Sequence, residues 1–102
     1  MSEPFGPHEM QRSMLRAGVT PRDLAGLMPC HAATLYSYLR TGTARPLTLF
    51  SFERLYEFME VACKEGILPF NESPKLRGAY VKRAYDHWHF TKKTFDGFSK
   101  GE

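Results

Sequence analysis

Hydrophobic side chains recur at intervals of three and four positions along most of the chain, which is the spacing of an amphipathic helix. Over residues 8–17 the pattern is carried by Met10, Met14 and Leu15, and Gly18 follows as a typical helix end. In total, the pattern predicts five helices, over residues 8–17, 21–28, 31–40, about 48–64 and 74–90.

The second predicted helix has a complete start signal. The Thr20 hydroxyl can cap free backbone N–H groups, Pro21 suits the first helical position, and Asp23 stands where a capping box closes. We expect this helix to extend to Met28, because Pro29 interrupts it.

The third and fourth helices are expected on either side of the sequence TGTARP. The third extends over His31–Arg40. The fourth begins near Thr48 or Ser51 and continues to Lys64 before Gly66 ends it. The side chains expected inside are Leu24, Leu27 and Met28 of the second helix, Leu35, Tyr38 and Leu39 of the third, and Phe52, Leu55, Phe58, Met59 and Ala62 of the fourth.

A cap and a proline, Ser73 and Pro74, open the fifth helix, which continues to about Phe90. The sequence ILPFNE before it is a linker, and FDGF after it could turn a small hairpin. The periodic positions of this helix are Leu76, Tyr80, Val81, Ala84, Tyr85 and Trp88.

A chain of 102 residues is near the commonest size of one domain, so we expect a single all-α domain. It comprises a flexible arm (1–7), four helices (8–65), a C-terminal helix (73–90) and a tail (91–102). With 42% hydrophobic and 25% charged residues, the composition is that of an ordinary globular protein. No apolar run is long enough for a membrane helix, and the first residues lack a signal-peptide pattern, so we expect a cytoplasmic protein.

The residues that carry metal or catalytic chemistry are few. Cys30 and Cys63 form no C-x-x-C pair, and buried free thiols are expected. His87 and His89 flank Trp88, but side chains two apart on a helix diverge. We therefore expect no metal site and no cofactor. The chain has no nucleophile with a base, no phosphate-binding loop and no paired carboxylates, so nothing indicates an enzyme.

The second and third helices together have the form of a helix-turn-helix, with a turn of three or four residues. Leu24, Ala25, Leu35 and Leu39 have the spacing to hold the two helices together, and the small Ala25 allows a close approach. The side chains left outward on the third helix are His31, Ala32, Ala33, Tyr36, Ser37 and Arg40.

This segment resembles the phage repressor and Cro family, the lambda-repressor-like (XRE-type) DNA-binding domains. The resemblance covers roughly residues 8–65 and implies a compact helical domain, usually dimeric, that binds a palindromic operator. It is carried by Thr20, Leu24, Ala25, Leu27, Met28, Thr34, Leu35, Arg40–Gly42 and the sequences ARP and SFERLYEF.

The resemblance implies that the start of the second helix contacts phosphate and the first half of the third contacts bases. The third helix lacks the Asn, Gln and Arg side chains that would bond bases from that half, so alanine contacts to thymine methyls and hydrogen bonds from His31, Tyr36 and Ser37 remain. Arg22, Arg40 and Arg45 are the best candidates for phosphate contacts. The full set of candidate DNA-binding residues is Thr20, Arg22, His31, Ala32, Ala33, Thr34, Tyr36, Ser37, Arg40 and Arg45.

The C-terminal helix and tail combine basic and aromatic residues, which can suit single-stranded nucleic acid. Helical spacing of the aromatic residues favours a core or dimer contact instead. The basic members are Lys75, Arg77, Lys82, Arg83, Lys92 and Lys93, and the aromatic residues expected to contact a partner or second copy are Tyr80, Tyr85, Trp88 and Phe90.

The function expected from these features is a small transcriptional regulator of bacterial or phage type that binds double-stranded DNA sequence-specifically, a homodimer and most simply a repressor. One alternative is a protein-interaction module that binds another regulator, a polymerase or a nuclease. It is motivated by the weakly polar third helix and the acidic side chains Glu53, Glu57 and Glu60. Another is a packaging or replication protein that marks one DNA site.

Overall fold

The computed structural model describes residues 5–27 and 32–98, and within them the chain is all-α, as predicted. The predicted arm up to residue 4, Met28, Pro29, Cys30 and His31, and the last four residues lie outside the described part. The five helices are α1 (Pro7–Ala17), α2 (Pro21–Ala25), α3 (Ala32–Thr41), α4 (Pro46–Lys64) and α5 (Pro74–Phe90).

The helices pack around one core, with α1 against α3 and α4, and α2 against α3 and α5. The predicted apolar stripe of α4 is confirmed, since all five of its members are buried. Trp88 of α5 meets this stripe edge-on at Phe58, with ring centroids 5.6 Å apart. Two predicted inward side chains are instead exposed: Leu15 at 77% and Leu76 at 56%. Leu15 points away from the buried side of α1, and Leu76 lies at the border of the apolar stripe of α5, in its first turn.

The ends of α1 follow from local signals. Its N-cap is Gly6, and Pro7 occupies the first turn, one position before the predicted start. Gly18 has φ 68°, a left-handed conformation that glycine adopts without the steric cost of a Cβ atom. The helix therefore ends at the predicted residue.

The predicted capping box of α2 is present. The Asp23 N–H donates to Thr20 Oγ1 (3.3 Å), and the Thr20 N–H donates to Asp23 Oδ2 (3.0 Å). However, α2 ends at Ala25 rather than at Met28, because the chain tightens into a turn in which Leu27 N–H donates to Leu24 O. Residues 28–31 lie outside the described part, so the predicted three- or four-residue turn and the predicted start of the third helix at His31 stay predictions.

Asp23 also joins α2 to α5. Arg77 Nε donates to Asp23 Oδ2 over 2.7 Å, and the two side chains are only 24% and 11% exposed. Burial of this kind makes the pair less screened by solvent than a surface salt bridge. The C-terminal helix is thus fastened to the short helix that precedes α3.

The start of α4 corrects the prediction of Thr48 or Ser51. Arg45 is the N-cap in an extended conformation, and Pro46 is the first helical residue. A proline suits this position because its missing N–H would have no partner inside the helix. TGTARP therefore both ends α3 and begins α4.

The predicted linker and tail contribute to the core. Ile67 and Leu68 are buried, and the Tyr80 hydroxyl donates to Ile67 O over 2.7 Å. After α5, Lys92 and Lys93 take left-handed conformations (φ 59° and 75°) that reverse the chain. Phe95 then returns to the core.

Phe95 is 9% exposed and lies 6.0 Å from the Phe58 ring, measured between centroids. Its carbonyl accepts from Phe98 N–H (3.0 Å), forming a turn, and the residues described show no strand there. The residues that would form the second strand of the suggested hairpin, 99–102, lie outside the described part, and in the described part the side chains of Phe95 and Phe98 pack against α4 and α5.

Asp23→Ala removes both the capping box and the ion pair with Arg77, so we expect it to lower the free energy of unfolding by about 2–3 kcal/mol. Arg77→Ala leaves the cap in place and should cost about 1–2 kcal/mol. Urea titrations followed by circular dichroism measure both. The control is Lys82→Ala, whose exposed ion pair with Asp86 contributes at most about 0.5 kcal/mol. Equal effects of Asp23→Ala and Lys82→Ala would contradict this account.

Phe95→Ala should destabilise the fold by about 3 kcal/mol, because it leaves a cavity beside Phe58. Phe90→Ala is the matched control. Phe90 is 89% exposed, so its loss should change the free energy of unfolding by less than about 0.5 kcal/mol. Thermal unfolding of the two variants measures the difference in melting temperature. If Phe95 did not pack on the core, both variants would melt at the temperature of the unmodified protein.

Candidate nucleic-acid interface

One side of α3 is turned away from the core. Leu35 and Tyr38 are buried, whereas Ala33, Thr34 and Tyr36 are exposed. This division follows from the helical period of 3.6 residues, which separates the two sets. Of the other predicted contact residues on α3, Arg40 is exposed, and Ala32 and Ser37 are half-buried.

A groove of about 490 Å³ runs between α1, the start of α2 and α3. It brings together three of the predicted DNA-binding residues, Thr20, Tyr36 and Arg40, although α2 and α3 are separated in sequence. The other lining residues are Gln11, Met14, Leu15, Val19, Pro21 and Leu39.

The Thr20 side chain already makes a hydrogen bond within the chain. Its hydroxyl oxygen accepts the Asp23 N–H, and its side chain is half-buried. The hydroxyl proton is still free to be donated, because a threonine hydroxyl is both a donor and an acceptor. Thr20 therefore serves first as the cap that fixes the start of α2, and toward a phosphate, which only accepts, it can donate one hydrogen bond.

Three predicted phosphate contacts, Arg22, Arg40 and Arg45, are exposed. Within residues 5–27 and 32–98, none of their side chains makes an ion pair or a hydrogen bond. Arg40 lines the groove with Thr20 and Pro21, and Arg22 is the next residue of α2. Arg45 lies at the N-cap of α4, just after α3.

Several basic residues elsewhere contact acidic or aromatic side chains of the chain, although the exposed Lys64, Lys75 and Lys92 make no such contact within the described residues. Arg16 pairs with Glu60 over 3.0 Å, and Lys93 pairs with Glu57 over 3.0 Å. Arg83 stacks on the Phe98 ring, 4.7 Å from its centroid. On α5, Arg77 and Lys82 are neutralised by carboxylates, whereas Arg22 of α2 and Arg40 of α3 have no acidic partner in the described residues.

The same ion pairs neutralise two of the acidic side chains of α4, Glu57 and Glu60. Glu60 accepts from Ser13 Oγ (2.9 Å) as well as from Arg16, and Glu57 is paired with Lys93. Of the three predicted acidic side chains, Glu53 alone has no partner in the described part of the chain. The acidic surface that motivated the protein-interaction alternative therefore has less unpaired negative charge than the sequence suggests.

The predicted aromatic contact surface on α5 is divided. Tyr80 and Trp88 are buried by their own chain. Burial raises the pKa of Tyr80, an effect that nearby Arg83 partly opposes. Tyr85 is half-buried against Phe58, and only Phe90 is fully exposed. A partner on this side meets Phe90 and an edge of Tyr85 rather than four aromatic side chains.

Metal-binding residues do not cluster in the described ranges, where no group of three or more His, Cys, Asp or Glu side chains could hold an ion. His87 Nε2 contacts Asp96 O (2.7 Å), and His89 Nδ1 contacts Arg54 (3.5 Å). Cys63 is half-buried, and burial raises the pKa of its thiol. Among these residues there is also no helix with the length and apolar character needed to cross a membrane.

Comparison with known proteins gave no match. No family model fits the sequence, and no characterised protein or solved structure is significantly similar to it.

Proposed function

We propose that the protein binds double-stranded DNA through the exposed side of α3 and acts as a small transcriptional regulator. The observation that carries this proposal is the position of Arg22, Arg40 and Arg45. These exposed arginines have no counter-ion in residues 5–27 and 32–98, and they belong to α2, α3 and the loop that follows α3.

Unpaired exposed arginines suit phosphate because no internal ion pair has to break when they bind. Each contact releases a counter-ion from the DNA, which gives an affinity that depends on salt but not on sequence. The exposed side of α3 carries Ala33 and Thr34, which are small enough to let a helix approach base edges in the major groove. The positive charge of the arginines and the small side chains of α3 both support the proposal.

The resemblance to the phage repressor and Cro family supports the more specific form of this proposal. In that form, the protein is a cytoplasmic homodimer that occupies a palindromic promoter or operator site and represses transcription. The two copies of α3 then lie in successive major grooves, so the half-sites are about one helical turn, roughly 34 Å, apart.

Arg22→Ala and Arg40→Ala should each weaken DNA binding to all sequences alike. Because each removes one phosphate contact, the slope of log affinity against log salt should become shallower by about 0.9 per substitution. Fluorescence anisotropy with a labelled duplex at several salt concentrations measures this slope. Lys82→Ala is the control, since Lys82 is paired with Asp86 on α5, and it should leave the slope unchanged.

The duplex for that measurement comes from selection of bound sequences out of a random library at about physiological salt, where non-specific attraction is reduced. We expect a palindromic motif, and Tyr36→Ala combined with Arg40→Ala should abolish its binding while helical content stays intact. Flat enrichment, or a double variant that binds normally, would remove the support for α3 as the DNA-binding helix.

A protein-interaction module is the second candidate, and exposed apolar side chains favour it. Leu47 and Phe50 at the start of α4 are 84% and 61% exposed, and Leu15 projects beside the groove. Exposed apolar side chains mark a protein contact where they form one contiguous patch, and a partner would bury them. Flat DNA selection together with a stoichiometric protein partner, retained after nuclease treatment, would favour this function over DNA binding.

A further inference from the structure

We propose that α3 recognises thymine through its C5-methyl group, with Ala33 as the main contact and the Thr34 methyl as the second. This inference rests on the proposed DNA binding and names the kind of half-site that the protein selects. A·T pairs are preferred over G·C pairs at the positions that face Ala33 and Thr34.

The outer side of α3 has an edge and a centre. Tyr36 and Arg40 line the groove toward α1 and the start of α2, and Tyr36 forms the edge on that side. Ala33 and Thr34 are exposed outside that groove, and Ser37 lies one turn after Ala33 on the same side. Arg40 lies on the same side of the helix as Ala33 but two turns later, where its guanidinium group suits phosphate. Nearer the start of α3, the exposed side presents the methyl groups of Ala33 and Thr34.

The side chains of α3 limit which bases it can distinguish. From Ala32 to Leu39 there is no Arg, Lys, Asn, Gln, His, Asp or Glu. Guanine and adenine are normally distinguished by bidentate donors from Arg, Lys, Asn or Gln, and cytosine by a carboxylate acceptor. This part of α3 has none of these groups.

Thymine is the base that adds an apolar group to the major groove, and alanine and threonine methyls are suitable contacts for it. Ser37 is the nearest hydroxyl on the same side, but a hydroxyl both donates and accepts, so it accommodates several bases. Sequence selection by this side of α3 therefore depends on removing methyl groups from water. The exposure of Ala33 makes such a contact accessible without rearrangement of the fold.

The test uses DNA in which uracil replaces thymine, because uracil lacks only the C5-methyl group and pairs with adenine in the same way. The duplex obtained by selection is resynthesised with one thymine changed at a time, and its affinity is measured by fluorescence anisotropy. We expect a loss of about fourfold for each methyl that the protein buries, at one or two positions of each half-site. Uracil at other positions should have no effect.

Ala33→Gly identifies the protein side of the contact. It removes the Ala33 methyl, so the uracil penalty at one position should disappear in this variant while the other penalties remain. Thr34→Ser removes a methyl but keeps the hydroxyl, and it should abolish the penalty at the neighbouring position. Ala79→Gly, at an exposed position of α5, carries the same cost in helix propensity and should leave all penalties unchanged.

Sequence-specific, salt-dependent binding that is equally strong to thymine and uracil duplexes would overturn the inference and leave the proposed function intact. A uracil penalty that persists in Ala33→Gly and Thr34→Ser would also overturn it, since the methyl would then be contacted by other residues. Absence of any selected DNA sequence would remove the proposed function and this inference together.

Discussion

The Asp23 carboxylate holds together the part of the structure on which the candidate interface depends. It accepts the Thr20 N–H and Arg77 Nε, at 3.0 and 2.7 Å. The helix that it serves, α2, has five residues and is too short to be stable by itself. Its position is set by this carboxylate and by the buried Leu24. The start of α2 lines the same groove as Tyr36 of α3. Through the Arg77–Asp23 ion pair, the C-terminal helix α5 therefore helps to position one wall of the candidate interface, although α5 does not line it.

Features fixed by local chemistry were predictable from the sequence. Gly18 ends α1, and Ser73 with Pro74 starts α5, because capping and proline geometry depend on a few adjacent residues. The outward side of α3 was predictable for a similar reason, since periodicity places Ala33 and Tyr36 opposite Leu35. The sequence alone therefore indicates which side of α3 faces outward.

Features that depend on distant residues were not predictable. Arg22 and Arg77 look alike in the sequence, yet Arg77 is paired with a residue 54 positions away, whereas Arg22 is exposed. Periodicity likewise groups Tyr80 and Trp88 on one side of α5, but it does not say whether the chain itself or a partner covers that side. The return of Phe95 to the core requires a reversal at Lys92 and Lys93 that hydrophobic spacing does not indicate.

The ion pairs within the chain explain how a protein of net charge +3 can present a basic surface. Acidic side chains of α4 and α5 neutralise Arg16, Lys82 and Lys93, while Lys64, Lys75 and Lys92 have no such partner in the described residues. The arginines beside α3 also have no counter-ion there. In the proposed mode of binding, these arginines supply affinity, while methyl contacts supply little discrimination per half-site. Free energies of separate base contacts are roughly additive, so a second identical half-site squares the ratio between right and wrong sequences. A recognition helix with few specific contacts therefore gains most from a symmetric dimer.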